Sequence, residues 1–113
     1  MRTRIRKQNG ISIVELSGKI VGPSALELRN VLLAEIESSD APRILLNFKH
    51  VHMIGSSGLG VLITVHAVVK RNNGRIGVVC VGKHIKNLIV VSRIVRLFEH
   101  FGDEATAVSV LSV

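Results

Sequence analysis

The chain has 113 residues, of which 47% are hydrophobic and 20% are charged, and its formal net charge is +7. This length suits one domain, residues 1–113, and the composition excludes a disordered chain. Aromatic residues make up only 3% of the sequence, so Val, Ile and Leu must form the core. The single cysteine, Cys80, cannot form an internal disulfide, which fits a cytoplasmic protein. Its apolar neighbours in the sequence predict a buried core position.

The first 40 residues predict a hairpin followed by a helix. Asn9-Gly10 is a tight-turn dipeptide between a basic segment, residues 2–7, and an apolar strand, residues 11–16, and so predicts an N-terminal β-hairpin. A loop, residues 18–23, then leads to Ser24-Ala25-Leu26-Glu27, which has the spacing of a capping box. The helix that it opens is expected to end near Glu37. Its buried stripe is predicted to contain Ala25, Leu28, Leu32 and Ile36.

The central stretch predicts a buried strand, a serine-glycine turn and a long helix. Residues 43–48 form the apolar strand, and the turn runs from Gly55 to Gly60. The helix is expected over residues 57–72, with Ser56 or Ser57 capping its first turn. Most of its circumference is apolar, which favours a position in the core. Its predicted buried side contains Leu59, Val61, Leu62, Ile63, Val65, Val68 and Val69, and its narrow opposite stripe contains Gly60, Thr64, Ala67 and Arg71.

The rest of the chain continues the alternation of strands and helices. We expect a strand at 76–81, a helix at 83–92, a last short strand or extended segment at 94–98, and a final helix opened by Asp103. Alternating strands and helices predict parallel pairing with right-handed crossovers. The fold class is therefore a single α/β domain with a mixed, mainly parallel β-sheet, about four helices and an N-terminal β-hairpin.

The sequence gives little support for a catalytic, metal-binding or nucleotide-binding site. The glycine-rich turn lacks the Lys-Ser/Thr of a P-loop, and His50 and His52 have no acidic or cysteine ligand close by in sequence. His66 is interpreted as a half-buried packing residue. We therefore expect no catalytic residue, no metal and no cofactor. The basic residues are scattered and stacking aromatics are nearly absent, which argues against nucleic acid, and no apolar run is long enough to predict membrane insertion.

Residues 47–60, Asn-Phe-Lys-His-Val-His-Met-Ile-Gly-Ser-Ser-Gly-Leu-Gly, together with the element order, resemble the STAS domain. More narrowly, the chain resembles the free-standing bacterial anti-sigma factor antagonists. The resemblance covers essentially the whole chain and implies a STAS-like fold. It also implies that Ser57, the second serine of the pair, is phosphorylated by an anti-sigma factor serine kinase, with a serine phosphatase as a further partner, in cytoplasmic regulation of transcription.

Three positions differ from the pattern of this family. Gly55 stands where an acidic residue usually precedes the serine pair, Val21 aligns with an acidic residue in the loop before the first helix, and Asn47 replaces a frequent Asp. Helix capping alone and regulated phosphorylation therefore remain two interpretations of the serine pair. The first keeps the serines as structural residues, and the second makes Ser57 a switch.

The resemblance and the small residues of the long helix together predict a docking surface for a protein partner. It contains Val21, Gly22, Ser24, Gly55, Ser56, Ser57, Gly58, Gly60, Thr64, Ala67 and Arg71. Three functions follow: an anti-sigma factor antagonist that sequesters a kinase and is switched at Ser57; a phosphorylation-independent STAS scaffold or transport-accessory protein; and a small nucleotide-binding enzyme. The third lacks any catalytic constellation in the sequence.

Overall fold

A computed structural model describes residues 1–113 as a five-stranded sheet with helices on both faces. The elements are β1 (Arg2–Gln8), β2 (Ile11–Ile20), α1 (Pro23–Glu37), β3 (Arg43–Ile54), α2 (Ser56–Arg71), β4 (Arg75–Val79), α3 (Lys83–Val91), a 3₁₀ turn (Val95–Leu97), β5 (Glu99–Phe101) and α4 (Glu104–Leu111). The strand order is β1-β2-β3-β4-β5. Only β1 and β2 pair antiparallel, and the other pairs are parallel. The predicted fold class is confirmed.

The N-terminal hairpin turns at the predicted dipeptide. Asn9 and Gly10 have φ angles of 52° and 77°, and Gln8 pairs with Ile11 across the turn. Two successive residues with positive φ are what a two-residue type I′ turn requires, and asparagine and glycine reach this conformation most easily. The local sequence thus sets the register of β1 against β2.

Two apolar clusters lie on opposite faces of the sheet. On one face α1, α2 and α3 cover the larger cluster, and the predicted α1 stripe of Ala25, Leu28, Leu32 and Ile36 is buried there. On the other face α4 covers the smaller cluster, which consists of Ile11, Ile13, Leu45, Val79, Ala107, Val108 and Leu111. Alternate residues of the central strands serve the two faces, which is why those strands read as continuous apolar runs.

The predicted capping box at the start of α1 is wrong. The helix begins at Pro23, its N-cap residue is Gly22 with φ 53°, and no side chain caps it. The backbone N–H of Ser24 donates to the carbonyl oxygen of Val21 at 3.1 Å. Proline is favoured at the first helical position because it lacks the N–H that would go unpaired there, and it moves the helix start ahead of Ser24.

Two predictions in the C-terminal half are also wrong. Cys80 is exposed, not buried, because β4 ends at Val79 and Cys80 turns the chain with φ 59°. Residues 94–98 do not form the last strand: they contain the 3₁₀ turn, and β5 follows at Glu99–Phe101. Ile94 and Phe98 are nevertheless buried. Their apolar character reflects packing in the larger cluster, where Phe98 lies against His66 of α2, and not strand pairing.

Candidate functional site

The serine pair lies at the exposed N-terminus of α2. The helix starts at Ser56 after the N-cap residue Gly55, and no side chain caps it. The first helical bond joins the N–H of Leu59 to the carbonyl oxygen of Gly55 at 3.0 Å. The predicted cap by Ser56 or Ser57 is therefore wrong. Both serines are exposed, and neither hydroxyl is committed to holding the helix.

Gly58 brings this end of α2 unusually close to the sheet. A Cβ atom at Gly58 would lie 2.7 Å from Cγ1 of Ile54, 2.8 Å from the carbonyl oxygen of Ile20 and 3.0 Å from Cγ2 of Ile20. Real Cβ atoms do not approach other atoms so closely, so a larger residue here must push the helix away. The absence of a side chain at Gly58 thus fixes the height of Ser57 above the ends of β2 and β3.

The two positions that differ from the acidic pattern contact each other. A Cβ at Gly55 would lie 3.2 Å from Cγ1 of Val21, and the N–H of Gly55 donates to the carbonyl oxygen of Ile20 at 3.0 Å. Gly55 has φ −93°, which any residue adopts, so its backbone does not demand glycine. The loop of Val21 and Gly22 that precedes α1 therefore lies beside the serine turn, and neither Val21 nor Gly55 supplies a carboxylate there.

An exposed face of small residues extends from the serine turn along α2. Gly60, Thr64, Ala67 and Arg71 are all exposed, and a Cβ at Gly60 would meet no atom within 4 Å. Ile63 is 46% exposed and lies on this same face, so its predicted burial is wrong. The spacing of Ile63 from Gly60 and Ala67 was the signal that could have placed it there, since residues three and four apart share a helix face.

The buried side of α2 agrees with its apolar pattern. Val61, Leu62, Val65 and Val69 are buried, whereas Leu59 and Val68 are partly buried. The helix is therefore not surrounded by core. It packs on the sheet with one side, and its exposed face of small residues is free for contact with another molecule.

The serine turn and α2 lie in a part of the chain without negative charge. No aspartate or glutamate occurs between Asp40 and Glu99, and this stretch carries nine of the fifteen lysines and arginines. Lys70 and Arg71 lie in the last turn of α2, where positive charge is favourable, and no acidic residue lies in its first turn. The unpaired N–H groups at the start of α2 therefore have no carboxylate in their own helical turn.

Asn47, the third position that differs from the family pattern, belongs to a structural network. Its Nδ2 donates to Glu104 at 2.9 Å, and the Arg6 guanidinium donates to both Glu104 and Glu15. Hydrogen bonds from Arg6, then from Asn47, lower the pKa of Glu104 despite its partial burial. An amide suits this position because it donates to Glu104, whereas a carboxylate would repel it. Asn47 therefore ties α4 to the sheet on the face opposite α2.

The histidines do not assemble a metal site. No group of three or more His, Cys, Asp or Glu side chains comes together anywhere in residues 1–113. His50 and His52 are exposed on the second half of β3. His66 is half-buried against Phe98, with ring centroids 6.0 Å apart in an edge-to-face arrangement. Burial, and then the positive charge of Lys70, lowers the pKa of His66, in agreement with a packing role.

None of the helices has the length and hydropathy needed to span a bilayer.

Known proteins share this architecture along their whole length. The anti-sigma F factor antagonist of Paenibacillus polymyxa is 23% identical over 113 residues, which cover 100% of this chain and 97% of the relative. An anti-sigma factor antagonist from Mycobacterium paratuberculosis superposes with a TM-score of 0.84 at 23% identity, over 99% of this chain and 94% of that one. The phosphorylated form of the Bacillus cell fate determinant SpoIIAA gives a TM-score of 0.75 at 14% identity, over 96% and 99% of the two chains. At identities this low, the two structural superpositions show a shared fold and no more.

The family itself is established by a match of sequence pattern. The family model of the STAS domain matches residues 2–107, which include the whole sheet, the serine turn and α2. The match agrees with the five-stranded topology and with the resemblance noted in the residues around Ser56 and Ser57. The chain belongs to the STAS domain family.

Proposed function

We propose that this protein is an anti-sigma factor antagonist: a regulatory module of the bacterial cytoplasm that binds and sequesters an anti-sigma factor kinase and is switched by phosphorylation of Ser57. The observation that carries the proposal is the exposed, uncapped Ser57 at the start of a helix whose free face is lined by small residues. The proposal assigns the protein a binding role and no catalytic residue. A serine phosphatase would restore the binding form.

The similarity to known antagonists supports this choice among the functions of the family. The full-length relative from Paenibacillus polymyxa is an anti-sigma F factor antagonist, and SpoIIAA, which has the same fold, exists in a phosphorylated form. The match to the Paenibacillus polymyxa relative covers 97% of that protein, which supports a free-standing regulator in preference to a domain that serves only as an accessory to a transporter.

The proposed docking surface combines the serine turn, the free face of α2 and the adjoining loop. It comprises Val21, Gly22, Ser24, Gly55, Ser56, Ser57, Gly60, Thr64, Ala67 and Arg71, and we include the exposed Ile63. Gly58, which the sequence pattern also placed on this surface, is buried against the sheet and supports the turn from beneath. Small residues let the backbone of a partner approach closely, and a partly exposed apolar side chain offers area to bury. The contact of Val21 with Gly55 joins the loop to the turn, so that one partner surface can cover both.

The charge distribution indicates the chemistry of the partner. No acidic residue occurs between Asp40 and Glu99, so α2 itself carries Lys70 and Arg71 and no acidic side chain. Complementary charge speeds association and selects against partners of the same sign. The proposed kinase therefore presents an acidic contact surface to α2.

A phosphate on Ser57 is expected to act on the partner and to leave the fold intact. It would lie at the positive end of α2, where unpaired N–H groups and the helix dipole favour an anion. The added charge of about −2 would lie within the docking surface and be repelled by acidic groups of a bound partner. The phosphorylated form thus remains folded and releases the kinase.

One observation favours a second candidate, a constitutive STAS scaffold. Val21 and Gly55, which lie side by side, replace the acidic neighbours that the family pattern places around the serine. A kinase that positions its substrate through these carboxylates would find none here. The scaffold has the same docking surface and lacks only the response to Ser57.

The docking surface is tested by measuring the affinity of the purified protein for an anti-sigma factor kinase of the same organism. Thr64→Arg places a bulky charge on the free face of α2, and Ser109→Arg makes a comparable change at an exposed position of α4 on the other face of the sheet. We expect Thr64→Arg to weaken binding at least about tenfold, equivalent to about 1.4 kcal/mol, and Ser109→Arg to bind like wild type. Equal affinities for the two variants would place the interface elsewhere.

A further inference from the structure

The face of the sheet that carries α4 is only partly covered. The helix packs over Ile11, Ile13 and Leu45, near the start of β2 and β3. Beyond these residues the same face continues along β2 with Glu15 and Ser17, because alternate residues of a strand point to the same side. A depression of about 280 Å³ lies there, lined by Arg2, Thr3, Arg4, Glu15, Leu16, Ser17 and His50.

The strand register places three hydrogen-bond donors in one row across this depression. Arg2 pairs with Ser17 in the antiparallel ladder, and Ser17 pairs with His50 in the parallel ladder. Directly paired residues on neighbouring strands have side chains about 5 Å apart on the same face. A guanidinium, a hydroxyl and an imidazole therefore stand side by side, and Arg4 lies on the same side two residues from Arg2.

The charges around this row leave two arginines unpaired. Arg2 and Arg4 are exposed and form no ion pair, whereas the neighbouring Arg6 binds Glu15 at 2.7 Å and also binds Glu104. Glu15, the only acidic residue that lines the depression, is thus held by Arg6. Glu15 pairs with Arg4 in the adjacent position of the ladder and offsets part of the local charge, but the row of Arg2, Ser17 and His50 itself contains no carboxylate, and Arg2 forms no ion pair.

We propose that Arg2, Arg4, Ser17 and His50 form a binding site for a phosphate or sulfate group. Arginine presents parallel N–H donors that match two oxygens of such a group, and charge-assisted hydrogen bonds of this kind are stronger than neutral ones. Ser17 and His50 supply further donors from the adjacent strands. The group is carried either by a free inorganic anion or by a small phosphate ester. The site lies on the face of the sheet opposite α2, so it does not depend on the proposed docking surface.

The site is tested by NMR titration of the full chain with sodium sulfate, inorganic phosphate and glycerol phosphate, each compared with sodium chloride at equal ionic strength. Arg2→Gln removes one donor from the row, and Arg29→Gln removes the same charge from an exposed position on α1. We expect saturable shifts of the Ser17 and His50 signals in wild type and Arg29→Gln, and a dissociation constant at least about fivefold weaker in Arg2→Gln.

The comparison of anions identifies the source of the bound group. Equal affinity for phosphate and glycerol phosphate shows recognition of the oxyanion alone, and tighter binding of the ester shows that its organic part is also contacted. Shifts that rise linearly without saturation, that sodium chloride reproduces, or that are the same in Arg2→Gln and Arg29→Gln would each overturn the proposal.

Discussion

Gly58 and Gly60 are two residues apart on α2 and offer a direct test of how the serine turn is held. A methyl group at Gly58 would lie 2.7 Å from Ile54 and 2.8 Å from the carbonyl oxygen of Ile20, whereas at Gly60 it would meet nothing within 4 Å. Replacing glycine by alanine inside a helix stabilises it by up to about 1 kcal/mol. Forcing an extra carbon into a filled site costs about 1–3 kcal/mol.

We therefore expect opposite signs for the two substitutions. Gly60→Ala should raise the free energy of unfolding by about 0.5–1 kcal/mol, because only the backbone propensity changes. Gly58→Ala should lower it by about 1–2 kcal/mol, since the strain exceeds any gain in propensity in the first turn. Urea unfolding followed by circular dichroism measures both values. Equal stabilisation by the two alanines would show that the N-terminus of α2 is not packed tightly on β2 and β3.

Two further predictions concern the core and the ion pairs. Val65 is fully buried, so Val65→Asp should unfold the domain, at a cost of several kcal/mol, whereas Thr64→Asp on the exposed side should leave it folded; a cooperative thermal transition for Val65→Asp would contradict the burial of this face. Hydrogen bonds from Lys7 lower the pKa of Glu35, and hydrogen bonds from Arg6 lower the pKa of Glu104. Both carboxylates therefore stabilise the folded protein. This stability is fully present above their unfolded pKa of about 4.5 and is lost as pH falls through their lower folded pKa values. Thermal melts from neutral pH to about pH 3 should show Glu104→Gln less stable than wild type near neutrality and less sensitive to acid, and parallel pH curves for the two proteins would refute the assignment.

The fold was predictable where local conformation and periodicity agree. Asn9-Gly10 predicts the hairpin because both residues reach positive φ easily, and the spacing of Leu28, Leu32 and Ile36 in α1 identifies its buried stripe. Cys80 was misplaced because an apolar run does not show where strand pairing ends. Ile94 and Phe98 were read as strand residues because burial beneath a helix and burial in a sheet require the same apolar side chains.

The location of the candidate site was predictable from the sequence, but its helix capping and its contacts between distant segments were not. The Ser56-Ser57-Gly58 segment marks the junction of β3 and α2, and the exposure of Thr64 and Ala67 follows from helical spacing. The N-cap residue is decided by where the first backbone hydrogen bond of the helix forms. The capping preference of serine does not predict this position, so the sequence did not show that neither serine caps α2. The hairpin turn sets the pairing of Arg2 with Ser17. The pairing of Ser17 with His50 and the proximity of Val21 to Gly55 depend instead on the parallel register of β2 and β3, which are far apart in sequence.

The central claim, that Ser57 switches partner binding, is tested most directly by the dissociation constant of the kinase complex with wild type, Ser57→Ala and the protein phosphorylated at Ser57. Phosphate incorporation by the kinase should persist in Ser56→Ala and be lost in Ser57→Ala, which identifies the modified residue. We expect wild type and Ser57→Ala to bind equally, and the phosphorylated protein, or Ser57→Asp in its place, to bind at least about tenfold more weakly, equivalent to about 1.4 kcal/mol. Equal binding by all forms, with no phosphate incorporated at Ser57, would contradict the switch and favour the constitutive scaffold.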